Sequence, residues 1–144
     1  MKLNPYLHFN GNCREAMEFY AEVLGGKVLA MMTFADMPSD RPASQETRDL
    51  IVHARLAIGD ELLMASDAPA DRFEKPQGFS VTLNIKEPTE AERVYNALAE
   101  GGTVMMPVGE TFWTRKFAML KDRFGTPWMI NCEKPQQAQE SSAA

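Results

Sequence analysis

The sequence predicts an α+β protein in which two βαβββ modules of one chain form curled mixed sheets around a cleft. The first observation is a repeated amphipathic helix, which begins near Glu15 and again near Glu90. The second is that one strand candidate precedes each helix and another follows it. The third is a hairpin after each of these units, with glycine and aspartate at its turn. Because the same order of elements occurs twice, we expect two modules of like fold.

The repeated helix is predicted from an apolar stripe that both copies carry in the same register. Apolar residues at offsets i, i+3, i+4, i+7 and i+8 form one face of a helix. The stripe consists of Ala16, Phe19, Tyr20, Val23 and Leu24 in the first copy and of Ala91, Val94, Tyr95, Leu98 and Ala99 in the second. Asn12 and Thr89 each precede a glutamate by three residues, so we expect them to cap the helix starts. The pairs Gly25-Gly26 and Gly101-Gly102 are expected to end the helices.

The strands are predicted from short apolar or alternating runs bounded by turn residues. They are residues 5–10, 27–34 and the hairpin 54–64 in the first module, and residues 79–85, 103–108 and the hairpin 117–128 in the second. We therefore place the first module at 1–67 and the second at 77–134. The polar segment 135–144 is expected to be a disordered tail of what is otherwise one domain.

Alternation along the strands separates side chains that pack under a helix from those that face away from it. The set expected under the first helix is Val52, Ala54, Leu56 and Ile58. His53 and Arg55 then lie on the opposite face, and Ser80 faces away from the second helix. The helix-averted faces mix polar and apolar residues, so we expect a polar-lined cleft there that holds a ligand.

Composition and charge argue against several classes of function. The chain has 144 residues, of which 44% are hydrophobic, and its formal net charge is −5. Without a basic run it is not expected to bind nucleic acid, and without a long apolar segment it is not expected to cross a membrane. Its N-terminus shows no secretion signal, and Cys13 and Cys132 lack the spacing of a metal site. We expect a cytoplasmic protein with two reduced thiols.

Four motifs in order along the chain resemble one known group of proteins. They are PYLHFNGNCREAMEFY, HARLAIGD, LLMASD and FWTRKFAMLKDRFGTPWMIN. With the duplicated βαβββ pattern, they are similar to the vicinal oxygen chelate superfamily, which includes glyoxalase I, bleomycin-resistance proteins and extradiol dioxygenases. Within that superfamily they resemble the PhnB-like branch, sometimes labelled demethylubiquinone methyltransferase-like. The resemblance covers about residues 3–133 and implies a homodimer with a small-molecule ligand.

The resemblance also implies a divalent metal held by ligands from four positions of the two modules. The first of these falls at Pro5, or at His8 if the strand is shifted by three residues. The position that opens the second module falls near Ser80, and the last-strand position falls at Met129. Because a hydroxyl and a thioether are poor ligands for such an ion, we expect no tightly bound metal at the usual positions.

A divalent metal stays open as an alternative, at an altered site that would use His8, Asp67 and Glu133. Two of these residues also have a structural interpretation. His8 is then a strand histidine that is hydrogen-bonded within the fold, and Asp67 ends its strand or caps the linker that follows.

The predicted ligand-binding residues are polar or aromatic positions near the helix-averted faces: His8, His53, Arg55, Ser80, Trp113, Met129 and Asn131. No catalytic residue is identified, since the chain has no nucleophile elbow, P-loop or dinucleotide-binding fingerprint. We therefore expect a small-molecule-binding protein whose reaction, if it has one, the sequence does not identify. The alternatives are a metal-dependent glyoxalase-like lyase, isomerase or thiol transferase, and a drug-sequestering protein of the resistance type.

Overall fold

The computed structural model describes residues 1–38, 44–110 and 114–133, with backbone alone at 114 and 115. The chain divides into two compact units, Met1–Lys75 and Pro76–Ala144. The first contains β1 (Tyr6–Phe9), α1 (Cys13–Leu24), β2 (Lys27–Thr33), β3 (Ile51–Ile58) and β4 (Glu61–Asp67). The second contains β5 (Val81–Asn84), α2 (Pro88–Ala99), β6 (Thr103–Gly109), β7 (Thr114–Lys121) and β8 (Pro127–Glu133). We keep 1–67 and 77–134 as the proposed limits of the modules, and the predicted tail lies outside the described residues.

Each unit folds its four strands into one mixed sheet, with the same strand order in both. The order is β1-β4-β3-β2 in the first unit and β5-β8-β7-β6 in the second. The first and last strands of each unit pair in parallel, whereas the other neighbours are antiparallel. A parallel pair needs a long crossover, and the helix with the two strands that follow it provides that connection. The prediction of two βαβββ modules is confirmed.

The predicted apolar stripes are the faces with which the helices pack on their sheets. In α1 the buried residues are Cys13, Ala16, Met17, Tyr20 and Val23. In α2 they are Ala91, Val94 and Leu98. The main contacts of α1 are with β3 and those of α2 are with β7. Each of these strands is one of the two inner strands of its sheet. Burial of these stripes is the main favourable term that holds each helix in place.

The predicted helix starts are partly wrong. Asn12 is the N-cap of α1, but its side chain makes no capping hydrogen bond. Thr89 lies inside α2, which begins one residue earlier, at Pro88, with Glu87 as its N-cap. Proline is favoured there because its φ is fixed near helical values and the missing N–H has no partner in a first turn. The proline therefore sets the start of α2, not the capping-box threonine.

The Gly-Gly pairs serve two purposes, of which only the first was predicted. Gly25 ends α1 in the left-handed conformation with φ +67°, and Gly101 has φ +73° two residues after the end of α2. The second glycine of each pair lies against a neighbouring strand. A Cβ atom on Gly26 would lie 2.6 Å from the carbonyl oxygen of Ala57, and one on Gly102 would clash with the carbonyl oxygen of Lys121.

The predicted strand faces are confirmed with one exception. Ala54 and Leu56 are fully buried, but Ile51 is buried at the start of β3 where Val52 was expected. The ladder between β2 and β3 is irregular there, since Met32 pairs with His53 and Thr33 with Ile51. This bulge shifts the alternation by one residue. Within the described residues, no helix is long and apolar enough to span a bilayer.

Candidate functional site

The helix-averted face of the first sheet gathers four of the polar and aromatic side chains at neighbouring positions. Tyr6 and Arg55 both pair with Met64, from opposite sides of β4, so the three residues form one row across the sheet. His8 lies two residues beyond Tyr6 on β1, and His53 lies two residues before Arg55 on β3. Residues two apart on a strand are separated by about 7 Å and neighbouring strands by about 5 Å. We call the group Tyr6, His8, His53 and Arg55 the first polar face.

Tyr6 is the centre of this face. Its hydroxyl lies 3.1 Å from Nδ1 of His53, and the two rings are stacked with centroids 5.7 Å apart. The ring of His8 is also close, with its centroid 5.2 Å from that of Tyr6. The phenol donates to Nδ1 when that nitrogen carries no proton and accepts from it when it does. The rings of Tyr6, His8 and His53 also offer flat surfaces on which a planar group can stack.

The charge on the first polar face is positive or neutral. Arg55 is exposed and makes no hydrogen bond or ion pair with any residue that the structure describes. Lys27, paired with Ala57 at one end of the sheet, is on the same face. Within the described residues, the strand ladders bring no aspartate or glutamate to this face, and Glu61 pairs with Ile58 on the other one. The described residues of this face therefore carry no negative charge, although the chain as a whole has a net charge of −5.

Asp67, one of the fallback metal ligands, is committed to the backbone. Its Oδ1 accepts hydrogen bonds from the backbone nitrogens of Gly11 and Cys13, each at 3.0 Å, and its Oδ2 accepts one from Ile51 at 2.9 Å. The residue is 4% exposed. The carboxylate thus provides the cap of α1 that the Asn12 side chain does not provide, and it joins the ends of β1 and β4 to the start of β3.

The corresponding face of the second sheet carries neutral polar groups, which we call the second polar face: Thr82, Asn84, Met129 and Asn131. The parallel ladder pairs Thr82 with Met129 and Asn84 with Asn131. The Thr82 hydroxyl donates to the Met129 sulfur at 3.6 Å, and Nδ2 of Asn131 donates to Oδ1 of Asn84 at 3.0 Å. Each of these two cross-strand pairs, Thr82 with Met129 and Asn84 with Asn131, is therefore joined by a side-chain hydrogen bond between β5 and β8.

One acceptor on the second polar face has no donor. Oδ1 of Asn131 is buried and receives no hydrogen bond within the described part of the chain. Leaving a buried polar atom without a partner costs about 1–3 kcal/mol of folding stability. A buried acceptor without a donor calls for an explanation in a folded protein. A bound water or ligand that donates to it is one such explanation.

The side chains at the family's metal positions do not fit a divalent ion. Ser80 lies just before β5, and Met129 shares its thioether with Thr82. Across residues 1–38, 44–110 and 116–133, no three histidine, cysteine, aspartate or glutamate side chains gather closely enough to hold a metal. Of the fallback set, His8 has an available ring, Asp67 is engaged with three backbone groups, and Glu133 is exposed at the end of β8. We derive no chemistry through a metal.

The other predicted ligand-binding residues that the structure describes are divided between the two polar faces. His8, His53 and Arg55 lie together on the first polar face, Met129 and Asn131 on the second, and Trp113 lies outside the described residues. Tyr6, Thr82 and Asn84 were not predicted. Each has the strand parity of a predicted residue, which is the signal that could have identified it.

The fold is that of the vicinal oxygen chelate proteins. A glyoxylase/bleomycin resistance protein/dioxygenase domain from Frankia sp. EAN1pec superimposes with a TM-score of 0.61 at 14% identity, covering 93% of this chain and 98% of that one. The fosfomycin resistance protein FosX of Listeria monocytogenes, solved in complex with Mn(II), superimposes with a TM-score of 0.66 at 7% identity, covering 96% and 97%. At these identities the likeness concerns the fold alone.

The chain belongs to the family described as 3-demethylubiquinone-9 3-methyltransferase, whose model matches residues 1–131. Protein YjdN of Escherichia coli K12 is 35% identical over 147 residues, which cover 96% of this chain and all of that protein. The crystal structure of protein PA1353 from Pseudomonas aeruginosa has a TM-score of 0.85 at 51% identity, covering 92% of this chain and 98% of that one. The resemblance inferred from the four sequence motifs is confirmed.

Proposed function

We propose that this protein binds a small planar organic anion on the first polar face. The observation that carries the proposal is the row Tyr6, Met64 and Arg55, with a stacked phenol at one end and, at the other, a guanidinium that pairs with no residue the structure describes. A guanidinium is suited to a carboxylate because its parallel N–H groups match the two oxygens. The rings of His8 and His53 lie within stacking reach of Tyr6 and suit a flat molecule.

The alternatives have less support. A metal-dependent lyase or thiol transferase needs anionic or imidazole donors that converge, and the matched positions carry Ser80 and Met129. A methyl transfer of the kind in the family description needs a bound methyl donor. Among the described residues the glycines with positive φ are single turn residues, and none builds a glycine-rich loop that would cradle such a cofactor. A cationic drug is disfavoured because the described strands bring no carboxylate to the first polar face.

The experiment is a titration of ¹⁵N-labelled protein with benzoate, followed by NMR. Benzoate is expected to shift the Arg55 side-chain signal and the backbone signals of β1 and β3, and Arg55→Gln is expected to weaken binding by about tenfold, since a lost charge pair costs about 1.4 kcal/mol or more. Arg72→Gln, which removes the same charge from an exposed position in the segment between the two modules, is the matched control and leaves binding unchanged.

The neutral analogue benzamide completes the design. If the proposal is right, benzamide does not shift the signals of the first polar face at concentrations that saturate it with benzoate. Equal shifts by the two molecules, or an equal loss of benzoate affinity in Arg55→Gln and Arg72→Gln, would contradict anion recognition by this face.

We also propose that the protein is a cytoplasmic homodimer. The outer strands β2 and β6 support a dimer, because each is the last strand of its sheet and carries exposed apolar side chains: Leu29, Met32, Val104, Met105 and Met106. Natural sheets protect such edges with charges, and β6 carries none between Thr103 and Gly109. The two buried, unbridged thiols support a reducing compartment. Light scattering tests the dimer: Met105→Lys is expected to halve the measured mass, and a monomer in the unmodified protein would contradict it.

A further inference from the structure

We propose that Asn10 and Gly11 form a latent modification site, where the Asn10 side chain converts to aspartate or isoaspartate, and that the Asp67 carboxylate suppresses this conversion in the folded protein. Among the asparagines of the chain, Asn10 alone precedes a glycine. The site lies between β1 and α1 and needs no ligand. It therefore stands or falls independently of the proposed anion site.

The conversion is an intramolecular reaction that consumes only water. The backbone nitrogen of Gly11 attacks the side-chain carbonyl carbon of Asn10, and a C–N bond forms between them. The side-chain nitrogen leaves as ammonia and takes up the proton that the backbone nitrogen gives up. Water then opens the resulting succinimide at either carbonyl, which yields aspartate or isoaspartate. A following glycine favours ring closure because it has no Cβ atom and its backbone adopts more conformations than that of any other residue.

The Asn10 side chain is available for this reaction. Asn10 is exposed, and it makes no hydrogen bond with any residue that the structure describes. It directly follows the last residue of β1, in a turn where Gly11 has φ +94°. A residue with a side chain rarely adopts this backbone conformation, so the turn favours glycine at position 11. The same glycine makes the preceding asparagine reactive.

The nucleophile of the reaction is held by Asp67. The backbone nitrogen of Gly11 donates to Oδ1 of Asp67 at 3.0 Å, and Asp67 is 4% exposed. Attack on Asn10 requires this nitrogen to lose its proton. The hydrogen bond stabilises the protonated nitrogen, and an amide anion would lie beside a group of like charge. Asp67 therefore slows the conversion for as long as the start of α1 stays attached to it.

Isoaspartate at position 10 would disturb the turn that contains it. Its backbone runs through the former side chain, so the chain between β1 and α1 becomes one carbon atom longer. Gly11 and Cys13, which both donate to Oδ1 of Asp67, would be displaced from that oxygen. Because these hydrogen bonds join the helix start to β4, the modified protein is expected to unfold at a lower temperature than the unmodified one.

The test incubates the full-length protein at pH 8 and follows Asn10 by mass spectrometry of tryptic peptides. Asn4 and Asn12 lie in the same tryptic peptide and serve as internal references. The folded protein is expected to convert Asn10 about tenfold more slowly than the same chain unfolded in urea, and Asp67→Asn is expected to remove most of this difference. Asn10→Gln is expected to abolish the product, because glutamine does not close the same five-membered ring.

The matched control separates the carboxylate from general stability. Leu56→Val loosens the core of the first unit but keeps Asp67, so it is expected to leave the rate at Asn10 unchanged while the protein is folded. Equal acceleration in Leu56→Val and Asp67→Asn would overturn the proposal, because general opening of the fold would then control the reaction. Equal rates in the folded and unfolded chains would overturn it as well.

Hydrogen exchange of the Gly11 amide provides a readout that depends on no variant. In the unmodified folded protein this exposed turn amide is expected to exchange more slowly than in the unfolded chain, since its proton is bound by Asp67. Exchange at the unfolded rate would show that the nitrogen is not held, and this would contradict the proposed protection.

Discussion

Oδ1 of Asp67, the last residue of β4, lies 3.0 Å from the backbone nitrogen of Cys13, the first residue of α1. The same carboxylate also binds the backbone of Gly11 and Ile51. One side chain thus connects the helix start to two strands of the first sheet. A residue that the sequence offered as a metal ligand has its oxygens engaged in the fold, which leaves the nearby first polar face to histidine, tyrosine and arginine.

Asp67→Asn is expected to lower the free energy of unfolding by about 2–3 kcal/mol, since a charged acceptor of three buried N–H groups is replaced by an amide that presents its own donors. Urea denaturation followed by circular dichroism measures the change. Asp60→Asn, in the exposed turn between β3 and β4, is the matched control and changes stability by less than about 0.5 kcal/mol. Equal effects of the two substitutions would show that the carboxylate does not hold the helix start.

The Cys13 thiol is expected to make the fold sensitive to alkali. Burial, with a smaller contribution from the charge of Asp67, raises its pKa from 9.0 to about 12. Between these values the unfolded chain loses a proton that the folded chain keeps. The contribution to stability is therefore complete below pH 9 and falls as pH rises towards about 12.

Comparison with Cys13→Ala isolates this effect, because the other alkaline titrations are common to both proteins. The difference in unfolding free energy between the two is expected to move in favour of the alanine variant by up to about 1.4 kcal/mol for each pH unit above 9. Urea denaturation at pH 8 and pH 10.5 measures it. A difference that is the same at both values would show that the thiol titrates alike in the folded and unfolded chains.

Gly102→Ala is expected to destabilise the second unit by about 1–3 kcal/mol, because its Cβ atom would clash with the backbone carbonyl of Lys121 and lie 3.0 Å from Cα of Asp122. Backbone atoms in a strand cannot move aside as a flexible side chain can. Gly109→Ala is the control, since its Cβ atom would have no neighbour closer than 3.9 Å. Thermal unfolding compares the two, and similar midpoints would contradict the role assigned to Gly102.

The parts of the fold that could be predicted from the sequence depend on periodic patterns. The stripes around Tyr20 and Val94 are properties of local sequence, and the structure buries most of their central residues. The exceptions depend on single contacts. A bulge opposite Met32 shifts the start of β3, and Pro88 moves the start of α2. Neither the bulge nor the proline changes the spacing of the apolar residues, which is the pattern that predicts the helices and strands.

The candidate site could be predicted only in part, because parity places a residue on a face but does not show what it contacts. His53 and Arg55 were expected to face away from the helix, whereas the side to which His8 points stayed open. Their meeting around Tyr6 depends on the register of β1 and β3 against β4. For Asp67, the residue type suggested a role that its contacts do not support. Its residue type suits a metal, whereas its three backbone donors come from positions far apart in the sequence.

The central claim, that the first polar face binds planar organic anions, is tested most directly by intermolecular nuclear Overhauser effects between benzoate and the labelled protein. The structure predicts contacts from the benzoate ring protons to the rings of Tyr6 and His8 and to the side chain of Arg55. These contacts are expected to disappear when benzamide replaces benzoate. Contacts confined to other residues, or a benzoate that binds nowhere on β1 and β3, would contradict the account.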